Sequence, residues 1–137
     1  VKCRQHVNPL AAMHQVLPES PVFEGKGKVF EDPSLPLYVD LGCGGGRFLL
    51  QLAVEHKGKA NFMGVEIRKI LADRANHWRT EFNVSNAYFV GGNINVPGAW
   101  EKIFNEYPGP ISGVSVLMPD PWFKKRHAKR RILTPGL

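Results

Sequence analysis

The feature that most constrains the fold is a short apolar run, Leu37-Tyr38-Val39-Asp40-Leu41, that leads into Gly42-Cys43-Gly44-Gly45-Gly46 and then into an amphipathic stretch from Arg47 to Lys57. Five residues between Pro36 and a glycine run are too few for a buried helix and suit a buried strand. After the turn, Phe48, Leu49, Leu52 and Ala53 fall on one helical face, and Gly58 supplies the stop. The pattern then repeats. A strand from Ala60 to Glu66 is followed by a helix with Ile67, Ile70, Leu71, Ala75, Trp78 and Phe82 on its inner face. Next come a strand at Ala87 to Gly91, a helix from about Pro97 to Tyr107, and a fourth strand at Gly113 to Leu117, inside the apolar run Ile111 to Met118. Alternation of this kind predicts an α/β domain built on a parallel sheet with right-handed crossovers.

The chain has 137 residues and is 43% hydrophobic, enough for one domain with a real core. Residues 1–35 are rich in proline and turn formers and are expected to form an extended arm with at most short elements, ahead of a domain over 36–137. Four strands make a thin sheet for this architecture, and the first residue is not methionine. A piece of a longer chain is expected, with the sheet incomplete at its C-terminal side. There is no run of eighteen apolar residues and no N-terminal secretory pattern, so a soluble intracellular protein is expected, its compartment open. Cys3 and Cys43 are too few for a disulfide framework, and the five histidines lack ligand spacing, so no metal is expected.

The glycine loop narrows the ligand. Counted from Gly42, a dinucleotide fingerprint would have Gly44 in its second place but Arg47 in its third, so the close helix packing of that motif is not expected. The pattern present is Asp40-x-Gly42-x-Gly44-x-Gly46. An acid just before glycines suits a cationic amine better than a pyrophosphate. Glu66, at the end of the second strand, is placed to accept hydrogen bonds from both hydroxyls of a ribose. An ammonium group and a ribose without phosphate fit S-adenosyl-L-methionine. Blander readings stay open: Asp40 as a turn cap, Glu66 as a helix-start acid, and Asn93 as a turn former rather than a partner for an adenine edge.

The most unusual stretch is Pro119-Asp120-Pro121-Trp122-Phe123-Lys124-Lys125-Arg126-His127-Ala128-Lys129-Arg130-Arg131. The net charge is +6, and Lys124 to Arg131 alone contribute six cations, so the chain without that segment is neutral. Two prolines hold Asp120 extended just past a strand end. A rigid acid, an aromatic ring and a phosphate-seeking cluster suggest a base of a polyanion presented for chemistry. The alternatives are a solvated basic face and an Asp120 that caps a turn. Trp122 reads equally as a stacking platform or as core.

Together, the DLGCGGG loop, the GVEIR strand end, the GGN turn and the PDPWFKKRHAKRR block resemble the tRNA (guanine-N7)-methyltransferase family over roughly Tyr38 to Pro135. Arg4-Gln5-His6-Val7-Asn8-Pro9-Leu10 is similar to a segment of eukaryotic members, most of all plant forms. The resemblance implies a Rossmann-like class I methyltransferase fold, a parallel twisted sheet with helices on both faces. It implies transfer of methyl from S-adenosyl-L-methionine to N7 of a variable-loop guanine of tRNA. It assigns cofactor contacts to Asp40, Gly42, Glu66, Ile67, Arg68, Asn93, Ile94 and Leu117, the catalytic acid to Asp120, and substrate contact to Lys124; Gly44 is expected beside them as a cofactor contact from the glycine pattern itself. Arg126, Lys129 and Arg130 join Lys124 as cations placed to track phosphates. Eukaryotic relatives use a WD-repeat subunit. The family continues with further strands and a Thr-x-x-Glu type motif that are not found here. The alternatives are a methyltransferase with another acceptor and a non-catalytic RNA-binding subunit.

Overall fold

The computed structural model describes residues 15–116. Its elements are β1 (Leu37–Leu41), α1 (Arg47–Glu55), β2 (Asn61–Glu66), α2 (Lys69–Glu81), β3 (Ala87–Gly91), α3 (Ala99–Phe104) and β4 (Ile111–Val116). The strands are parallel in the order β3-β2-β1-β4. The order reverses at β1: the chain first moves outward through β2 and β3, then returns to the other side of β1 as β4. The register places Leu41 beside Val65 and Val116, and Glu66 beside Gly91, so the carboxyl ends form one row. A crevice at such a reversal is where open α/β sheets bind ligands.

Side-chain alternation along each strand divides the core in two. Leu37, Val39, Leu41, Met63, Val65 and Val90 face α3, where they meet Ile103 and Phe104. Phe62, Ala87 and Phe89 face α1 and α2, where they meet Leu49, Ala53, Ala72 and Ala75. Both faces are covered, as the continuous apolar character of β1 and β2 predicts.

The segment from residue 15 to residue 35 contains no helix or strand. Yet Phe23 and Phe30 are buried and pack edge-on against Tyr107 in the α3-side core. Tyr107 donates its hydroxyl to Leu35 O, and Asn61 Nδ2 bonds both Tyr107 Oη at 3.0 Å and Asp32 O at 2.8 Å. This part of the arm is therefore continuous with the domain's core. Among the described residues no helix is long and apolar enough to cross a membrane.

The helix faces depart from the apolar pattern. Ile70, Trp78 and Phe82 point outward, Phe82 being 70% exposed, and Phe48 on α1 is exposed as well. The buried side of α2 is Leu71, Ala72 and Ala75, flanked by Asn76 and Arg79. The cause lies in β3, which among the described residues pairs only with β2. Asn76 donates Nδ2 to Phe89 O at 2.7 Å and accepts from Phe89 N at 3.0 Å. Arg79 donates to Ala87 O and to Val29 O. Polar side chains of α2 thus satisfy the outward backbone groups of an edge strand, which would otherwise offer pairing to another chain. Meeting that need turns the aromatic side of α2 to the surface, where Trp78 and Phe82 stack on each other at 5.8 Å. β4, expected as a buried strand, has an exposed Ile111 and is paired only with β1 among the described residues. α3 is shorter than the expected 97–107 stretch because Gly98, at φ 86°, caps its start and a turn at Tyr107 follows Phe104.

Asn76→Ala strips Phe89 of both side-chain partners and is expected to cost about 1–3 kcal/mol in denaturant unfolding. Trp78→Ala, on the outer face, is expected to cost less than about 1 kcal/mol. The opposite ranking would show that α2 packs by its apolar stripe instead.

Candidate functional site

The glycine loop joins β1 to α1 over the carboxyl ends of β1 and β2. Gly42 N–H donates to Val65 O at 2.7 Å, which continues the β1–β2 ladder into the turn. Gly44, at φ +60°, then aims its N–H at Glu66 Oε1, 2.9 Å away. Among the described residues a Cβ added at Gly44 or Gly45 would meet nothing within 4 Å, so they leave the outer side of this loop open for a ligand to approach the backbone. Gly46 behaves differently. A Cβ there would lie 2.4 Å from Phe89 Cε1 and 3.0 Å from Ala75 Cβ, and its φ is +76°. Close helix-to-sheet packing is therefore present, supplied one position before the place where counting from Gly42 seeks it. Gly64, beneath the loop, makes a similar close approach to Cys43 Sγ and Phe89.

Glu66 is fully buried, and four donors reach its carboxylate. Oε1 accepts from Gly44 N and from Arg68 Nη2 at 3.1 Å. Oε2 accepts from Arg68 N at 2.9 Å and Arg68 Nε at 2.7 Å. A buried carboxylate needs such partners, and charge-assisted bonds are the strong ones. The strand end thus ties the loop after β1 to the start of α2. The Arg68 fork on Glu66 has no sequence signal beyond the closeness of the two residues, with Ile67 between them.

Asp40, 3% exposed, lies on the strand next to Glu66, with Gly64 as its β2 neighbour in register. Burial first, and then the negative charges of Glu66 and Asp40, push the Cys43 thiol up. One strand further out, Gly92 N–H donates to Glu66 O at 2.9 Å, and Asn93 follows with its Oδ1 accepting from Asn95 N at 3.0 Å. Asn93 is buried and forms the turn that its residue type favours. Ile94 is buried in the α3-side core, and Ile67 is half-buried beside Glu66. A Cβ at Gly92 would meet Pro18 Cβ at 2.6 Å, so the N-terminal segment walls this side of the row of strand ends. Sequence reasoning gave Pro18 no place here.

The structure thus brings Gly44, Glu66 and Arg68 into direct contact, sets Asp40 beside them and puts Asn93 one strand away. The expectations for Leu117, Asp120, Lys124, Arg126, Lys129 and Arg130, and for Arg4 to Leu10, lie outside the described residues. Among the described residues no group of three or more His, Cys, Asp or Glu is placed to hold a metal ion.

Gly46→Ala combines a left-handed backbone with a clash against Phe89 and is expected to cost about 2 to 4 kcal/mol in thermal or denaturant unfolding. The fold favours the neutral Cys43 thiol, so the stability tied to it is complete below the ordinary thiol range and is lost as pH rises through and beyond that range. Cys43→Ala is therefore expected to flatten the fall in melting temperature between about pH 8 and pH 10. An unchanged slope would place the alkaline loss elsewhere.

Known proteins resemble this arrangement. A family model described as "Putative methyltransferase" matches residues 34–137. A tRNA (guanine-N(7)-)-methyltransferase of Synechococcus sp. (strain JA-2-3B'a(2-13)) is 47% identical over 136 residues, covering 99% of this chain and 54% of the relative. A protein of the same description from Synechocystis sp. (strain ATCC 27184 / PCC 6803 / Kazusa) is 42% identical, covering 100% of this chain and 62% of the relative. The chain therefore spans between about half and three-fifths of the length of these relatives. PKMT2 from Rickettsia typhi, solved in complex with AdoHcy, superposes with a TM-score of 0.51 at 19% identity, over 73% of this chain and 18% of that one. That likeness shows a Rossmann-like fold, in agreement with the strand order. Because the family model takes in the entire sheet and the helices on both of its sides, the chain belongs to this methyltransferase family.

Proposed function

We propose that the protein acts as a tRNA (guanine-N7)-methyltransferase, with S-adenosyl-L-methionine as methyl donor. The observation that carries the cofactor part is the bond from Gly44 N–H to Glu66 beside the open side of the loop, which puts an acceptor for ribose hydroxyls at the reversal of the strand order. The residues fit such a group. Asp40 supplies a buried negative charge under the glycines for an ammonium, and Asn93 lies in the turn where an adenine edge would lie. Ile67, Arg68, Ile94 and Leu117 are assigned to the same site through the family resemblance. Similarity to the tRNA (guanine-N(7)-)-methyltransferases of Synechococcus and Synechocystis supports tRNA as the acceptor.

The bound cofactor supplies a methyl group on a sulfonium, an electrophile that needs no metal or acid to activate it. Guanine N7 has an in-plane lone pair and carries no proton near neutral pH, so no base is required before attack. Orientation is the main task, and it can lower a barrier by about 7 to 11 kcal/mol. Asp120, held between two prolines, would accept hydrogen bonds from the guanine Watson-Crick edge and stabilise positive charge on the purine as methyl transfers. Lys124, Arg126, Lys129 and Arg130 would hold the phosphates, giving an affinity that falls with salt. The resemblance to eukaryotic members adds a WD-repeat subunit and an intracellular place of action to this reading, and co-purification of such a subunit tests the first of these.

The direct test is to incubate the protein with tRNA and methyl-labelled cofactor, digest the RNA, and identify the labelled nucleoside. 7-Methylguanosine is expected, with a loss of about a hundredfold or more for Asp120→Ala. Label on a small molecule or protein, or an unchanged yield from Asp120→Ala, would overturn the assignment. Tight salt-dependent tRNA binding with no cofactor heat by calorimetry would favour a non-catalytic RNA-binding subunit instead.

A further inference from the structure

The carboxylate of Glu66 is already saturated. A carboxylate offers about four lone-pair positions, and four donors occupy them here. Two of those donors are backbone amides, Gly44 N–H and Arg68 N–H, fixed by the loop after β1 and by the start of α2. They cannot leave without dismantling both. The other two, Nε and Nη2, belong to the Arg68 guanidinium, which hangs on a side chain with four rotatable bonds and is 10% exposed. A vicinal diol, the polar group of a ribose, also presents two donors from adjacent atoms. A ribose can engage Glu66 only by replacing donors, and of these four only the guanidinium pair can be withdrawn by side-chain rotation, with a further interaction of Arg68 to be given up as well.

We infer that Arg68 is a placeholder for the ribose: its guanidinium holds Glu66 in the ligand-free protein and is exchanged, two hydrogen bonds for two, against the hydroxyls of the nucleoside. This rests on the cofactor reading above and adds a positioning residue to it. Before a ligand arrives the fork holds the carboxylate turned toward the glycine loop, so the guanidinium alone has to move at the moment of binding. It also sets a condition for entry. A ligand without both hydroxyls leaves Glu66 with fewer donors than the guanidinium gave it, so the site discriminates ribose from its deoxy forms through the partner that each must displace.

The test uses the chain labelled with 15N, followed at the Arg Nε–H resonances. The Arg68 signal is assigned by its loss in Arg68→Lys. Without ligand this Nε–H is expected to exchange slowly with water, because it is buried on Glu66. Saturating S-adenosylhomocysteine is expected to speed that exchange by about tenfold or more, whereas the 2′,3′-dideoxy analogue at a concentration that gives the same calorimetric occupancy leaves it slow. Arg68→Ala removes the competitor, and it is expected to bind S-adenosylhomocysteine on the order of tenfold more tightly while affinity for the dideoxy analogue changes little. Should Arg68→Ala fail to fold, the wild-type resonances alone decide. If S-adenosylhomocysteine binds with measurable heat and the Arg68 signal stays protected, the placeholder is refuted and the cofactor reading stands. If neither ligand binds at all, both are refuted together.

Discussion

A fully buried carboxylate at the end of β2 is the constraint around which the site is built. Removing Glu66 from water is costly unless its charge is matched, and the fold matches it from both sides. Gly44 comes from the loop that leaves β1, and Arg68 comes from the residue that opens α2. Two βα loops that are far apart in sequence are thereby fixed to one strand end. An apolar residue at this position would fill the space but would leave the Gly44 and Arg68 amides without their acceptor.

Fixing the loop also demands that α1 and α2 lie close to the sheet, and small residues provide the room. Ala53, Ala72 and Ala75 are fully or nearly fully buried under the helices, and Gly46 and Gly64 bracket the Phe89 ring. Phe89 is therefore the wedge that sets how far the helices stand off, and any added methylene beside it displaces the loop that carries Gly44. Packing at this density transmits a small change over several residues. Stability at Gly46 and geometry at Glu66 are thus two readings of one contact.

Much of this was legible in the sequence, for a definable reason. β1 and β3 begin and end where the apolar runs do, because strands buried on both faces require unbroken apolar character. Asp40 and Glu66 could be placed because each sits at or next to the close of such a run. The face of α2 could not be read, since periodicity takes aromatic residues as inward-facing. Asn76 and Arg79 took the inner position because the backbone of β3 needed donors and an acceptor, a requirement set by strand order and invisible in a local window. Gly46 was missed as the packing glycine because a motif written for another ligand class put it one place later. The burial of Phe23 and Phe30 was hidden for a similar reason, since their partner Tyr107 is more than seventy residues away and no local pattern links them.

The two ends of α2 now have separate duties. At its start, Arg68 is engaged by the strand-end acid; near its finish, Arg79 reaches both β3 and Val29. A helix tied at both ends cannot turn about its axis to bury Trp78 and Phe82 without breaking both anchors, so the exposed aromatic stripe follows from the polar contacts rather than competing with them. A ligand entering between the glycine loop and Glu66 then meets an acid whose backbone partners are already in place. Pre-positioned amides beside an acid that need not move are what a nucleoside site requires of its scaffold, and here both are consequences of satisfying one buried charge and one sheet edge.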